Sequence, residues 1–196
     1  MSDKSQTQSY WRSAFSALHS TRVLVFAALM IALTRVLSLI PGIPIYHTKL
    51  TFGFLSRAMF AFVGGPVAGL VFGFAEDILG FILQPTGDFF FGYTLSTMLG
   101  VFVYAVCFYR RKATVLNIVV ANVLVNVFVN ALLGSVWTMM VRGGGYWGWF
   151  TGSIVKNLIT IIPKSVVLYI VFQSMLPIIK KLGLVKGLKS GTVTLY

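Results

Sequence analysis

The sequence predicts an all-α integral membrane protein with six transmembrane helices. Apolar residues make up 57% of the 196 residues and charged residues only 10%, and the mean hydropathy is +0.87. A soluble domain of this length has too little interior to bury so many apolar side chains, so the bilayer must act as their solvent. The apolar runs are continuous rather than alternating, which predicts helices instead of barrel strands. The length suits about six spans of roughly 20 residues.

The chain begins with a polar segment, residues 1–21, which has no signal-peptide hydrophobic core and no small-residue cleavage site. We expect this segment to be a cytoplasmic tail. The first span follows over residues 23–40 and stops at a Pro-Gly pair. Within this span, Ala28 and Ala32 form a small-xxx-small pair that lets another helix approach closely.

A Gly-Gly-Pro turn joins a short second span, residues 50–63, to the third span. Gly65, Gly69 and Gly73 then recur every four residues. This spacing predicts one smooth helix face that packs closely against a neighbouring helix.

Two adjacent carboxylates, Glu76 and Asp77, lie inside the third span, in a chain with only four acidic residues. An ionisable group at membrane depth is costly and is therefore a candidate for function. Counting the rise per residue places Arg57 of the second span at a similar depth. A structural ion pair is the alternative role for Arg57.

The remaining spans are predicted over residues 93–109, 115–141 and 151–176. In the fifth span, Asn122, Asn126 and Asn130 recur at every fourth position, and Gly134 and Trp137 continue that face. Such a polar stripe either hydrogen-bonds neighbouring helices or lines a cavity. We expect its outer members, Asn130 and Trp137, to line a cavity.

The distribution of positive charge predicts that both termini are cytoplasmic. Of the 16 lysines and arginines, three lie on the N-terminal side, three lie in residues 110–112, and four lie in the tail, residues 177–196. The opposite side has only Lys49 and Arg142 outside the spans. The positive-inside rule then explains the net charge of +12 without any role for nucleic acid.

Four cations lie within the predicted spans: Arg35, Arg57, Lys156 and Lys164. They face only two acids at membrane depth, so two surplus cations would suit an anionic ligand. Snorkelling to the headgroups is the alternative, notably for Arg35 in the outer half of the first span.

The outer loops and outer helix ends combine planar rings with cations, which suits an aromatic ligand that has carboxylates. If the cavity reaches as deep as Asp77, we expect this carboxylate to accept a bidentate hydrogen bond from an aminopyrimidine-like edge. The aromatic residues after Arg142 either contact this ligand or form an interfacial belt. The candidate ligand-binding residues are Arg35, Lys49, Asp77, Phe89, Phe90, Tyr93, Asn130, Trp137, Arg142, Tyr146, Trp147, Lys156 and Asn157.

The sequence lacks motifs for enzymatic chemistry. It has no nucleotide-binding loop, zinc-protease motif, nucleophile elbow or cysteine cluster, and its single cysteine, Cys107, fits packing. We therefore expect a protein that is not an enzyme and has no cofactor or metal site. Any active transport must draw its energy from elsewhere.

Several segments together resemble a known family. They are Thr34-Arg-Val-Leu-Ser38, Lys49-Leu-Thr-Phe-Gly-Phe-Leu55, Gly65-Pro66 followed by Asp77, Pro85-Thr-Gly-Asp-Phe-Phe-Phe-Gly-Tyr-Thr-Leu-Ser96, and Lys156-Asn157 with Pro163. Over residues 22–176 the chain resembles the substrate-binding S-components of energy-coupling factor (ECF) vitamin transporters, and it is most similar to the folate-specific members. It departs from their pattern at Lys49, Ser56, Lys164 and Ser165.

The resemblance implies a six-helix protein of a prokaryotic plasma membrane that binds a vitamin from outside. It also implies docking on a membrane T-component and two ATP-binding cassette ATPases, with Ala28 and Ala32 at the T-component. Folate would place its glutamate carboxylates on two of Arg35, Lys49, Arg142 and Lys156. Pantothenate, thiamin or a flavin is the alternative vitamin.

Overall fold

The computed structural model describes residues 14–15, 18–45, 48–85, 89–111, 113–185 and 192–194. Side chains in the two short strands are not included, so the side chain of Lys49 lies outside the described residues, as do Tyr46, His47 and residues 86–88. The elements in chain order are α1 (Thr21–Leu39), β1 (Ile43–Ile45), β2 (Thr48–Leu50), α2 (Phe54–Leu83), α3 (Phe91–Phe108), α4 (Val115–Arg142) and α5 (Tyr146–Lys181).

The five helices are each long and apolar enough to cross a bilayer. The all-helical membrane fold is thus confirmed, apart from a short ribbon that the sequence did not predict. In this ribbon β1 pairs antiparallel with β2, and Pro44 lies opposite Lys49. We call the end of the bundle with this ribbon the ribbon end, and the opposite end the tail end.

Helix α2 folds back on itself at the Gly-Gly-Pro turn. Gly65 has φ +77° and ψ −177°, a left-handed backbone conformation that favours glycine. Arg57 Nε lies 2.9 Å from Glu76 Oε2, and the rings of Phe60 and Phe72 stack with centroids 4.2 Å apart. A straight helix would separate Arg57 from Glu76 by about 28 Å. The two arms of α2 therefore lie side by side, as the predicted turn requires.

The glycine face of α2 packs against α3. A Cβ on Gly73 would lie 2.8 Å from Met98 Cα, and one on Gly69 would lie 3.1 Å from Val101 Cγ1. Only glycine permits this approach at Gly73, because the obstructing atoms belong to the α3 backbone. The predicted smooth face is therefore confirmed, and it brings the carboxylates of α2 next to α3.

Helix α4 is not uniformly α-helical. Its middle section, Val125–Leu133, is a π-helix between α-helical ends. π-helical turns are rare and are frequent at functional sites. This section contributes Val125, Val129 and Asn130 to a cavity wall.

Helix α1 is peripheral. Val23 and Thr34 are its only buried residues. The Thr34 hydroxyl on α1 and the Ser56 hydroxyl on α2 form a hydrogen bond with each other. Ala28 and Ala32 are both exposed. At the tail end, Thr194 returns to the bundle, where its N–H donates to the Ala113 carbonyl.

Candidate functional site

A buried carboxylate joins α1 to both arms of α2. Glu76 is fully buried and accepts hydrogen bonds from Arg35 Nη2 at 2.7 Å and Arg57 Nε at 2.9 Å. Gly80 leaves room for the Arg35 guanidinium, because a Cβ there would lie 2.7 Å from Arg35 Cζ. The structural ion pair considered for Arg57 is confirmed. Arg35 makes the same pairing instead of snorkelling to the headgroups.

The neighbouring carboxylate, Asp77, has hydroxyl partners instead of cations. Thr94 Oγ1 donates to Asp77 Oδ2 at 2.7 Å, and Thr97 Oγ1 donates to Oδ1 at 3.1 Å. No lysine or arginine lies within ion-pair distance of Asp77 in the part of the chain that the structure describes. Each carboxylate oxygen can accept a further hydrogen bond, so the group is available to a ligand.

Asp77 borders a cavity of about 450 Å³ at the ribbon end, which we call the side pocket. Four aromatic rings and two arginines surround this carboxylate. The lining residues are Arg35, Arg57, Asp77, Gly80, Phe81, Gln84, Phe89, Phe90 and Tyr93. Phe89 and Phe90 contact Phe81 and Tyr93 edge-on, with centroids 5.1 and 5.6 Å apart. The pocket thus offers ring faces and edges around one acceptor group.

A second cavity of about 410 Å³, which we call the shaft, runs between α2, α3, α4 and α5. It shares Arg57 and Tyr93 with the side pocket. On α3 its wall extends from Tyr93 to Tyr104, about 16 Å along the helix axis. Both cavities have the size of small-molecule sites.

The wall of the shaft is mainly polar, and two lysines of α5 belong to it. The lining residues are Thr51, Gly53, Phe54, Arg57, Tyr93, Ser96, Thr97, Gly100, Tyr104, Val125, Val129, Asn130, Gly134, Thr138, Ser153, Lys156, Asn157, Thr160 and Lys164. Lys164 Nζ donates to Asn126 Oδ1 at 2.8 Å and lies 5.9 Å from the Phe54 ring centroid. Neither Lys156 nor Lys164 has a carboxylate partner among the described residues.

The asparagine stripe of α4 both hydrogen-bonds and lines the shaft. Asn122 Oδ1 accepts from Tyr104 Oη at 2.8 Å, and its amide donates to Ser165 Oγ at 3.1 Å. Asn130 donates to Asn126 Oδ1 at 3.3 Å and lines the shaft. The inner members thus connect helices, whereas Asn130 reaches the cavity as expected.

Trp137 lies beside the cavities but is part of neither wall. Its Nε1 donates to Ser96 Oγ at 2.9 Å, and its ring centroid lies 5.8 Å from that of Phe90. It also packs beside Gly92, where a Cβ would lie 2.7 Å from Trp137 Cδ2. It therefore positions lining residues, which differs from the lining role predicted for it.

The structure does not bring Arg142, Tyr146 and Trp147 into either cavity wall. Arg142 is exposed at the end of α4, and Trp147 is 73% exposed. Tyr146 and Trp147 pack with Phe150, with centroids 5.7 and 5.9 Å from its ring. Ligand contact by these three residues stays a prediction.

Eight of the thirteen predicted residues line a cavity. Arg35, Asp77, Phe89 and Phe90 line the side pocket, Asn130, Lys156 and Asn157 line the shaft, and Tyr93 lines both. Sequence reasoning missed the deeper wall. The residues of this deeper wall could have been found from their helical spacing, since positions 93, 97, 100 and 104 share one face of α3 and positions 153, 157, 160 and 164 share one face of α5. No group of three or more His, Cys, Asp or Glu side chains within the described segments is placed to hold a metal ion.

The site can now be compared with known proteins. A family profile described as "ECF transporter, substrate-specific component" matches residues 22–172. The chain belongs to this family. It is a substrate-binding component of a multi-pass membrane transporter and not an enzyme.

Two curated relatives match this chain over most of their length. The folate transporter FolT of Clostridium novyi (strain NT) is 29% identical over 152 residues, which is 78% of this chain and 88% of the relative. The folate transporter FolT of Leuconostoc mesenteroides is 29% identical over 146 residues, which is 71% of this chain and 78% of the relative.

A solved structure shows the same fold. The crystal structure of FolT bound with folic acid superposes with a TM-score of 0.67 at 22% identity. The match covers 76% of this chain and 90% of that chain.

Proposed function

We propose that this S-component binds folate at the ribbon end and delivers it inward. The observation that supports this most is the pairing of two adjoining cavities with opposite chemistry. The side pocket offers aromatic rings around an acceptor carboxylate, and the shaft offers two lysines that pair with no carboxylate among the described residues. Folate has a flat pterin ring with hydrogen-bond donors at one end and two carboxylates at the other. The two FolT relatives support the same substrate.

The ligand would lie across both cavities. The aminopyrimidine edge of the pterin would donate to Asp77, which lines the side pocket and whose oxygens can each accept a second hydrogen bond. Phe89, Phe90 and Tyr93 would contact the ring system. Because the two cavities share Arg57 and Tyr93, the glutamate can reach the shaft, where Lys156 would meet a carboxylate.

Segments at the ribbon end would gate the site. Gly143 and Gly144 have φ of +72° and +92°, and no side chain or backbone atom lies within 4 Å of a Cβ at Gly143. These glycines give the α4–α5 connection its conformational freedom. Closure would move the exposed Trp147 with Tyr146 and Arg142 over the ligand, together with the ribbon that contains Lys49.

The membrane topology we propose has six crossings with both termini in the cytoplasm. The two arms of α2 count as separate segments, since they lie side by side and α2 reverses at Gly65. The ribbon end then faces outward. The exposed Arg22, Arg111, Lys180 and Lys181 lie at the tail end, as the positive-inside rule requires.

The transport cycle would use partners. As an S-component, the chain would dock on a membrane T-component that works with two ATP-binding cassette ATPases in a prokaryotic plasma membrane. Ala28 and Ala32 are exposed on a helix that packs mainly on α2, which leaves their face open to another helix.

A binding panel tests the substrate. The purified chain in detergent is titrated with folate, thiamin, riboflavin and pantothenate while tryptophan fluorescence is recorded. We expect saturable binding of folate alone. Binding of another vitamin in its place would keep the family and overturn the substrate.

A further inference from the structure

The charges of the site separate into a balanced group and an unbalanced one. Arg35, Arg57, Glu76 and Asp77 belong to α1 and α2 and sum to zero. Glu76 bonds both arginines, and both carboxylates act electrostatically on Arg57. These arginines are therefore largely compensated before any ligand arrives.

The unbalanced group consists of Lys156 and Lys164 on α5. Both line the shaft, neither meets a carboxylate in the part of the chain that is described, and Lys156 lies near enough to act electrostatically on Lys164. Lys164 is half-buried, and its protein hydrogen bond is to a neutral amide oxygen. Repulsion between two like charges in a low-dielectric wall raises the free energy of the unliganded protein, and a bound anion would offset this repulsion.

Lys164 also lies at the inner end of the shaft. It follows Ser153 and Lys156 along α5 by about 16 and 12 Å of helix rise. Tyr104, the deepest α3 residue of the wall, lies at the same end, and its hydroxyl is already bonded to Asn122. A charged group that reaches the floor of the shaft therefore meets the Lys164 ammonium.

We propose that Lys156 and Lys164 form a dianion site in the shaft and that Lys164 is the residue that selects ligands ending in two neighbouring carboxylates over ligands ending in one. The proposal rests on the proposed function: the dianion is the glutamate end of folate, with one carboxylate on each lysine. A ligand extended beyond the glutamate would have to pass Tyr104 and Lys164 at the inner end of the shaft. A γ-linked second glutamate would then be excluded.

The test compares folate with pteroate, which lacks the glutamate and ends in a single benzoate carboxylate, by titration of the full-length purified protein. The variants are Lys164→Met and Lys164→Gln, the second of which keeps a donor for Asn126. Lys180→Met at the exposed end of α5 is the matched control. Loss of a charge-assisted hydrogen bond predicts that both Lys164 variants weaken folate binding by about tenfold to a hundredfold. Pteroate binding should change by less than about threefold, which also shows that the variants are folded.

Equal weakening of folate and pteroate, or unchanged folate binding, would overturn the proposal. If a variant does not fold, the affinities of the wild-type protein for three ligands still test the proposal. Wild-type protein should bind folate at least about tenfold more tightly than pteroate or γ-diglutamyl folate, and equal affinities would contradict the dianion site. If wild-type protein binds no folate at all, the proposed function itself has failed.

Discussion

Arg35 on α1 and Glu76 on α2 form an ion pair of 2.7 Å, in which the carboxylate is fully buried. The same carboxylate bonds Arg57, so one group joins the peripheral helix to both arms of the helical hairpin. Arg57 in turn lines both cavities. The ion pairs therefore position the wall of the site and also hold α1 against the bundle.

Replacing Glu76 should strongly destabilise the protein. Glu76→Gln leaves two arginine side chains without their carboxylate, and breaking a buried pair in this way costs about 3–5 kcal/mol. We expect a clear fall in the thermal unfolding midpoint, measured by circular dichroism in detergent. Unchanged unfolding would show that the ion pairs contribute nothing to the fold.

Replacing Asp77 should affect binding more than stability. In Asp77→Asn the amide nitrogen cannot accept, so one of the two threonine hydroxyls and one ligand donor lose their acceptor. We expect folate affinity to fall by about tenfold or more, from the loss of a charged hydrogen bond. The unfolding midpoint should fall less than in Glu76→Gln. A folate affinity equal to that of wild type would remove Asp77 from the site.

Adding one methyl group at Gly73 should disturb the α2–α3 contact. The new Cβ would lie 2.8 Å from Met98 Cα and 3.2 Å from the Thr97 carbonyl, so the backbones must separate. Overpacking of this kind costs about 1–3 kcal/mol. Gly152→Ala is the matched control, because nothing lies within 4 Å of its Cβ and alanine favours the helix. Equal unfolding midpoints for the two variants would refute the packing argument.

Enlarging the alanine face of α1 should separate transport from binding. Ala28→Leu with Ala32→Leu places bulk on an exposed face, and neither alanine lines a cavity. Folate binding by the isolated chain should stay within about twofold of wild type. ATP-dependent folate uptake with the T-component and ATPases should be lost. Val166→Leu, an exposed position on α5, should retain uptake; normal uptake by the alanine variant would place the docking surface elsewhere.

Labelling with a membrane-impermeant maleimide tests the orientation. In a Cys107→Ala background, a cysteine at Gly145 should react in intact cells, because it is exposed at the ribbon end. A cysteine at Arg111, exposed at the tail end, should react only after the membrane is opened. The reverse pattern would invert the proposed topology.

Much of the fold follows from local sequence signals. The turn at Gly65 and the glycine face up to Gly73 were predictable, because they depend on backbone sterics that only glycine satisfies. The Arg57–Glu76 pair followed from helix rise once that turn was placed. The helical membrane architecture followed from composition alone.

Other features depend on tertiary contacts that periodicity does not encode. Arg35 lies on the same sequence face as the exposed Ala28, yet its long side chain reaches the buried Glu76 through the space above Gly80. The π-helical section at Val125 has no sequence mark that separates it from an α-helix. The role proposed for Lys164 could be inferred only after the structure showed that Glu76 pairs with both arginines.

The most direct test is an isothermal titration of folate into the purified wild-type chain in detergent. The account predicts saturable binding of one folate per chain that thiamin, riboflavin and pantothenate do not compete away. Absence of folate binding, or displacement of folate by one of these vitamins, would contradict it.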